Sequence, residues 1–174
     1  MRTSLPRSEK SSNLVRFYLF AFLTSLIFAF LFYFPLFRIV GTLDNSMPYR
    51  FYLWIRPSQD PKKKDEQIRK YRFVEVFVED LDYLPIKKKK VKYFVKEVVC
   101  FPKDYLLAKD GKFYCNGRFL GKAHPLSPHP PISYDGVIPE GYYFLMGKNS
   151  FSFDSRYVGL ISIDRITGVL IPIF

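Results

Sequence analysis

Between Arg16 and Arg38 the chain carries no charge: Phe17 to Phe37 is one apolar run with only Thr24 and Ser25 to relieve it. As a helix rising about 1.5 Å per residue it would span roughly 31 Å, the thickness of a bilayer core, so the pattern predicts a transmembrane helix. A cleaved signal peptide is the rival reading. The run is too long for one, and it ends in Tyr33-Phe34-Pro35-Leu36-Phe37 with no small-residue cleavage site. Beyond it the period changes. Short apolar or alternating runs follow one another at Phe51 to Ile55, Phe73 to Val78, Lys92 to Cys100, Tyr105 to Ala108, Phe113 to Cys115, Tyr142 to Met146 and Val158 to Ile163. Their lengths and the turn residues between them predict strands. Asp110-Gly111 and Asn116-Gly117 are hairpin dipeptides, and no stretch after the apolar run holds a sustained helical period. Ser58 to Lys70 reads as an exposed loop or a short polar helix, and the proline-rich His124 to Pro131 as a connection unable to join a central strand.

The expected organisation is a basic tail over residues 1–16, a membrane anchor over 17–38 and a mostly β domain over 39–174. Arg2, Arg7, Lys10 and Arg16 precede the anchor with only Glu9 opposing them. By the positive-inside rule this leaves the N-terminus in the cytoplasm and the β domain on the outer face of the cytoplasmic membrane. At 174 residues, 48% hydrophobic and 19% aromatic, the chain has material for one core, which excludes general disorder. The net charge of +11 raises nucleic acid as a partner. However, the excess sits in blocks such as Lys62-Lys63-Lys64 and Lys87 to Lys90, without a finger spacing, a helix-turn-helix pattern or an aromatic RNA-binding signature. Anionic lipid is the expected partner, and nucleic acid is not.

Three segments stand out for chemistry: Asn45-Ser46-Met47-Pro48-Tyr49-Arg50-Phe51-Tyr52, then Val95-Lys96-Glu97-Val98-Val99-Cys100-Phe101-Pro102-Lys103-Asp104, then Gly147-Lys148-Asn149-Ser150-Phe151-Ser152-Phe153-Asp154-Ser155-Arg156. Ile138-Pro139-Glu140-Gly141 to Gly147 leads into the third. In this order, behind an N-terminal anchor, they resemble the bacterial type I signal peptidases, and most nearly the conjugative-transfer branch of TraF-type pilin maturases. The resemblance implies a signal-peptidase or LexA-like β-fold. It also implies Ser46 as nucleophile, Lys96 as general base and Ser152 as the hydroxyl that orients the lysine. The residues fit those roles independently. A serine attacks an amide only with a base beside it, and a lysine serves as that base only where burial favours its neutral form. On a strand Lys96 shares its face with Phe94, Val98 and Cys100, which places an ammonium stem among apolar neighbours.

Asp154 and Arg156 are expected to brace the loop that presents Ser152. The family pattern has a serine where Asp44 stands and a glycine where Arg50 stands. An ionised carboxylate cannot donate to an oxyanion, so that role goes to the Ser46 backbone N–H, with Asn45 as a candidate second donor. By family analogy, Met47, Phe94 and Val95 are candidate walls of a small substrate pocket. Cys100 and Cys115 flank the Asp110-Gly111 turn; they either form a disulfide, worth about 3 kcal/mol in the chain-entropy model, or are buried as small hydrophobes. With His124 and His129 they have zinc-binding chemistry but not zinc-site spacing, so neither metal nor cofactor is expected. The function implied is a membrane-anchored serine endopeptidase acting on an exported precursor or pilin-like protein. The alternative is a non-catalytic, membrane-anchored assembly factor of a secretion or conjugation apparatus. The LexA-type repressors share the dyad but are soluble and carry a DNA-binding domain, which this chain lacks.

Overall fold

The computed structural model describes residues 7–33, 37–42, 46–78 and 92–174, in two units that divide between Leu36 and Phe37. The first unit holds helix α1 (Arg7–Tyr33). Its stretch Asn13–Phe32 is long and apolar enough to cross a membrane, and its side chains are not buried against protein. The sequence places the anchor's end at Arg38, whereas the helix ends at Tyr33 and Phe37 and Arg38 already pair in the first strand of the second unit. The apolar run hid that boundary because an exposed aromatic strand has the same composition as a membrane helix.

The second unit contains β1 (Phe37–Gly41), β2 (Phe51–Ile55), α2 (Pro61–Tyr71), β3 (Phe73–Phe77), β4 (Tyr93–Cys100), β5 (Tyr105–Lys109), β6 (Lys112–Cys115), β7 (Arg118–Lys122), β8 (Tyr134–Val137), β9 (Tyr142–Met146), α3 (Ser155–Val158), β10 (Ile161–Ser162) and β11 (Ile166–Pro172). All strand pairings among the described residues are antiparallel: a seven-stranded sheet in the order β1-β2-β11-β3-β4-β9-β10, and a four-stranded sheet in the order β7-β6-β5-β8. The fold is mostly β. Asp110-Gly111 and Asn116-Gly117 close two-residue hairpins with all four residues at positive φ, between 49° and 78°, as strand twist requires of a primed turn.

Alternation along the strands separates the cores. Val74, Val76, Val98, Leu145 and Val169 face one cluster with Ile68 of α2, while Met47, Tyr52, Trp54 and Leu170 form another. A third lies under the smaller sheet, around Leu106, Phe113, Ile138 and Phe144. β4 contributes Val98 to the first and Cys100 to the third, which is possible because a bulge shifts its register against β9 between those residues. Cys100 is bonded to Cys115 of β6, tying the two sheets together. These two sulfurs and the Asp104 carboxylate are close enough for a metal site, but cysteines joined to each other offer no thiolate ligands.

Of the two forms expected for Ser58 to Lys70, the chain takes the short polar helix: α2 runs from Pro61 to Tyr71, with Asp60 capping Lys62 N at 2.9 Å and only Ile68 buried. One expectation changes. Val158 to Ile163 is not one strand. Asp154 caps α3, which runs to Val158, and only Ile161 and Ser162 pair with β9. β11, the strand between β2 and β3, is not among the expected strands: Gly168 and Pro172 weaken its pattern. Gly168 is needed there: a Cβ would lie 1.8 Å from Nε1 of Trp54, which packs across it.

Candidate active site

Ser46 lies in the turn between β1 and β2, and Lys96 is the fourth residue of β4, opposite Val74. Fifty residues of sequence separate them, yet Lys96 Nζ lies 3.4 Å from Ser46 Oγ. Both are buried, at 5% and 6% exposure. The Lys96 stem follows from strand alternation, which points it to the same face as Phe94 and Val98. Its Nζ sits 5.3 Å from the centre of the Phe94 ring, and Val76, Val78 and Leu145 line the small cavity beside it.

Ser152 belongs to the loop between β9 and α3. Its hydroxyl is buried and has no hydrogen-bond partner among the described residues. Gly147 makes the close approach possible: a Cβ there would lie 2.2 Å from Ser152 Oγ and 3.0 Å from the Ser46 carbonyl oxygen. Next along the loop, Lys148 N donates to that same carbonyl at 2.6 Å. The loop is held from inside. Asp154 accepts from Gly147 N at 2.8 Å and pairs with Arg156, whose guanidinium donates to it at 2.7 and 2.8 Å. Arg156 also donates to the carbonyls of Lys122, Asn149 and Ser152, and both charged side chains are at most 2% exposed. A guanidinium that satisfies four separate acceptor groups fixes a loop that has no sheet ladder of its own.

A serine hydroxyl beside a buried primary amine, with a second serine on an adjoining braced loop, can perform acyl transfer. The family model for signal peptidase, peptidase S26, matches residues 11–174. The chain belongs to the signal peptidase S26 family. It is 29% identical over 147 residues to signal peptidase I of Bacillus licheniformis, covering 75% of this chain and 78% of that one. To signal peptidase I V of Bacillus subtilis strain 168 it is 31% identical over 94 residues, 45% of this chain and only 56% of the relative. Thylakoidal processing peptidase 1 of Arabidopsis thaliana is 32% identical over 76 residues, 43% of this chain and 22% of that protein. Among solved structures, a signal peptidase I from Enterococcus faecalis V583 matches with a TM-score of 0.35 and 19% identity, over 57% of this chain and 92% of the other.

Within this S26 chain the expected site residues are distributed unevenly. Ser46 and Lys96 are in contact, Ser152 is on the neighbouring loop, and Asp154 and Arg156 brace it. The three expected pocket walls are not brought together. Phe94 faces the Lys96 side, whereas Met47 and Val95 pack with Tyr52, Trp54 and Leu170. Adjacent residues of a strand point to opposite faces, so Phe94 and Val95 cannot both line one side. Asn45 and Asp44 lie outside the described residues. Gly147 and Lys148 open the third segment, but the close approach that gives the glycine and the Lys148 N–H their roles exists only in three dimensions. Next to Met47, burial pushes the Tyr52 hydroxyl up to about 12, so it stays protonated at neutral pH.

Proposed function

We propose that this S26 chain is a membrane-anchored serine endopeptidase that cleaves exported precursors with Ser46 as nucleophile and Lys96 as general base. The contact of 3.4 Å between Lys96 Nζ and Ser46 Oγ carries the reading. Ser46 Oγ adds to the carbonyl carbon of the scissile bond while its proton passes to the neutral Lys96 amine. The resulting oxyanion is met by the Ser46 backbone N–H. When the intermediate collapses, the C–N bond breaks and the new amine takes the proton from Lys96; water activated by the same amine then hydrolyses the ester on Ser46. Ser152 orients the lysine, and the low-dielectric surroundings favour its neutral form.

Helix α1 is the anchor, with the basic tail inside and the β unit on the outer face of the cytoplasmic membrane. The substrate lies extended beside β4. That strand continues through Tyr93–Lys96 past the end of β9, whose last partner, Met146, is opposite Glu97. The finer assignment is to the TraF-type maturation branch, supported by the spacing of Ser46, Met47, Pro48 and Tyr52 in the first segment.

The test compares membrane proteomes of cells carrying the wild-type chain or Ser46→Ala and identifies which precursor termini accumulate uncut. A Ser46→Ala chain that retains full function would instead identify a non-catalytic assembly factor. Lys96→Arg keeps the charge but cannot act as a base, so single-turnover peptide cleavage should be lost as completely as in Lys96→Ala. Substantial turnover in the arginine variant would end the dyad assignment.

A further inference from the structure

Beside the dyad, on the side where β9 ends, is an open groove of about 450 Å³ that the mechanism does not use. Its walls include Pro48, two residues beyond the nucleophile, Glu97, the neighbour of Lys96, and Met146 and Lys148 from the end of β9 and the loop after it. Gly121 and Lys122 of β7 form the facing wall. The size is that of a ligand site, typically ~300–1,000 Å³.

We propose that this groove receives the segment of the precursor that follows the cleaved bond, and that Lys122 and Lys148 select acidic side chains there. The inference rests on the peptidase reading. A peptide added beside Tyr93–Lys96 occupies the place that β9 leaves empty. Followed toward Glu97, it meets Met146 and Gly147, which already pair with or abut that end of β4 and the Ser46 turn. It must leave the sheet there, and the groove opens at that point. The strand edge suits the short extended segment before the bond. An open groove with an exposed rim suits the flank that stays attached to the released protein. Its charge is uneven: Lys122 and Lys148 are exposed on the rim, Glu97 is half-buried in the wall, and the Arg156 guanidinium is already matched by Asp154. Two cations against one carboxylate favour an anionic occupant.

The experiment uses the full chain in detergent micelles with peptides that share the Ala-x-Ala cleavage signal before the bond and differ only in the second and third residues after it: Asp-Asp, Ala-Ala or Lys-Lys. The Asp-Asp peptide should exceed Lys-Lys by about three- to tenfold in kcat/KM, as expected for two solvent-exposed charge pairs, and the ratio should shrink in high salt. The double variant Lys122→Glu/Lys148→Glu should invert the ratio, while Lys109→Glu/Lys112→Glu, an equal charge change on β5 and β6 outside the groove, should not. Equal rates for the charged peptides, or a ratio that survives the double reversal, overturns the groove assignment. If even Ala-Ala shows no Ser46-dependent cleavage, the peptidase reading falls and this inference with it.

Discussion

Two buried carboxylates, Asp154 and Glu75, each take an arginine as partner, yet they hold different parts of the chain in different ways. Asp154 meets Arg156 two residues away, both fully enclosed, and the pair ties the Ser152 loop to Gly147, Asn149 and Lys122. Glu75 on β3 meets Arg38 on β1, whose side chain is 47% exposed. One terminal nitrogen of Arg38 donates to both Glu75 oxygens at 2.7 and 2.8 Å, and the guanidinium lies 4.7 Å over the Trp54 ring. Glu75 also accepts from Trp54 Nε1 at 3.0 Å and Thr167 Oγ1 at 2.9 Å, so much of its support comes from neutral donors on β2 and β11. The first device is a sealed local brace on a loop. The second is a strand-to-strand tie with one end in water.

The difference is measurable. Asp154→Ala leaves the Arg156 charge enclosed without its carboxylate and should lower stability by about 3–5 kcal/mol in denaturant unfolding, with peptidase activity lost as the Ser152 loop loosens. A loss below about 1 kcal/mol would show that water reaches Arg156 and that the brace is not sealed. Glu75→Ala strands an indole N–H and a hydroxyl; the expected loss is about 1–3 kcal/mol. Arg38→Ala removes only the wet end of the tie and should cost about 1 kcal/mol or less. If the Arg38 variant lost as much as the Glu75 variant, the tie would be an ion pair in substance and the contrast with Asp154 would disappear.

Smaller still at neutral pH is the effect of Tyr52→Phe, because the buried Tyr52 hydroxyl has no close hydrogen-bond partner among the described residues. Burial raises its pKa from 10.0 to about 12 in the folded chain. A raised folded value means the stabilisation is fully present below pH 10 and is lost as the pH rises toward 12. Tyr143 adds to the same trend, since burial and its hydrogen bond to Asp65 push it up as well. Wild-type unfolding midpoints should therefore fall across that window, and Tyr52→Phe should flatten the fall. An unchanged alkaline profile would remove Tyr52 as a contributor.

What the sequence determined by itself was local or periodic. The Asp110-Gly111 and Asn116-Gly117 turns follow from which residues tolerate positive φ. The alternation in β4 put Lys96 on the apolar face with Phe94 and Val98, and the length of the uncharged run marked α1, because these depend on residues within one element. The resemblance of the three segments to the type I signal peptidases implied Ser46, Lys96 and Ser152 as a set. Tertiary structure alone decided the rest: the 3.4 Å approach of Ser46 and Lys96, the fit of Ser152 against Gly147, the placing of β11 between β2 and β3, the split of Met47 and Val95 from Phe94, and the Glu75 cluster. The physical reason is sequence separation. Arg38, Trp54, Glu75 and Thr167 come from four strands, and no local propensity encodes a contact whose partners meet only when the sheet forms.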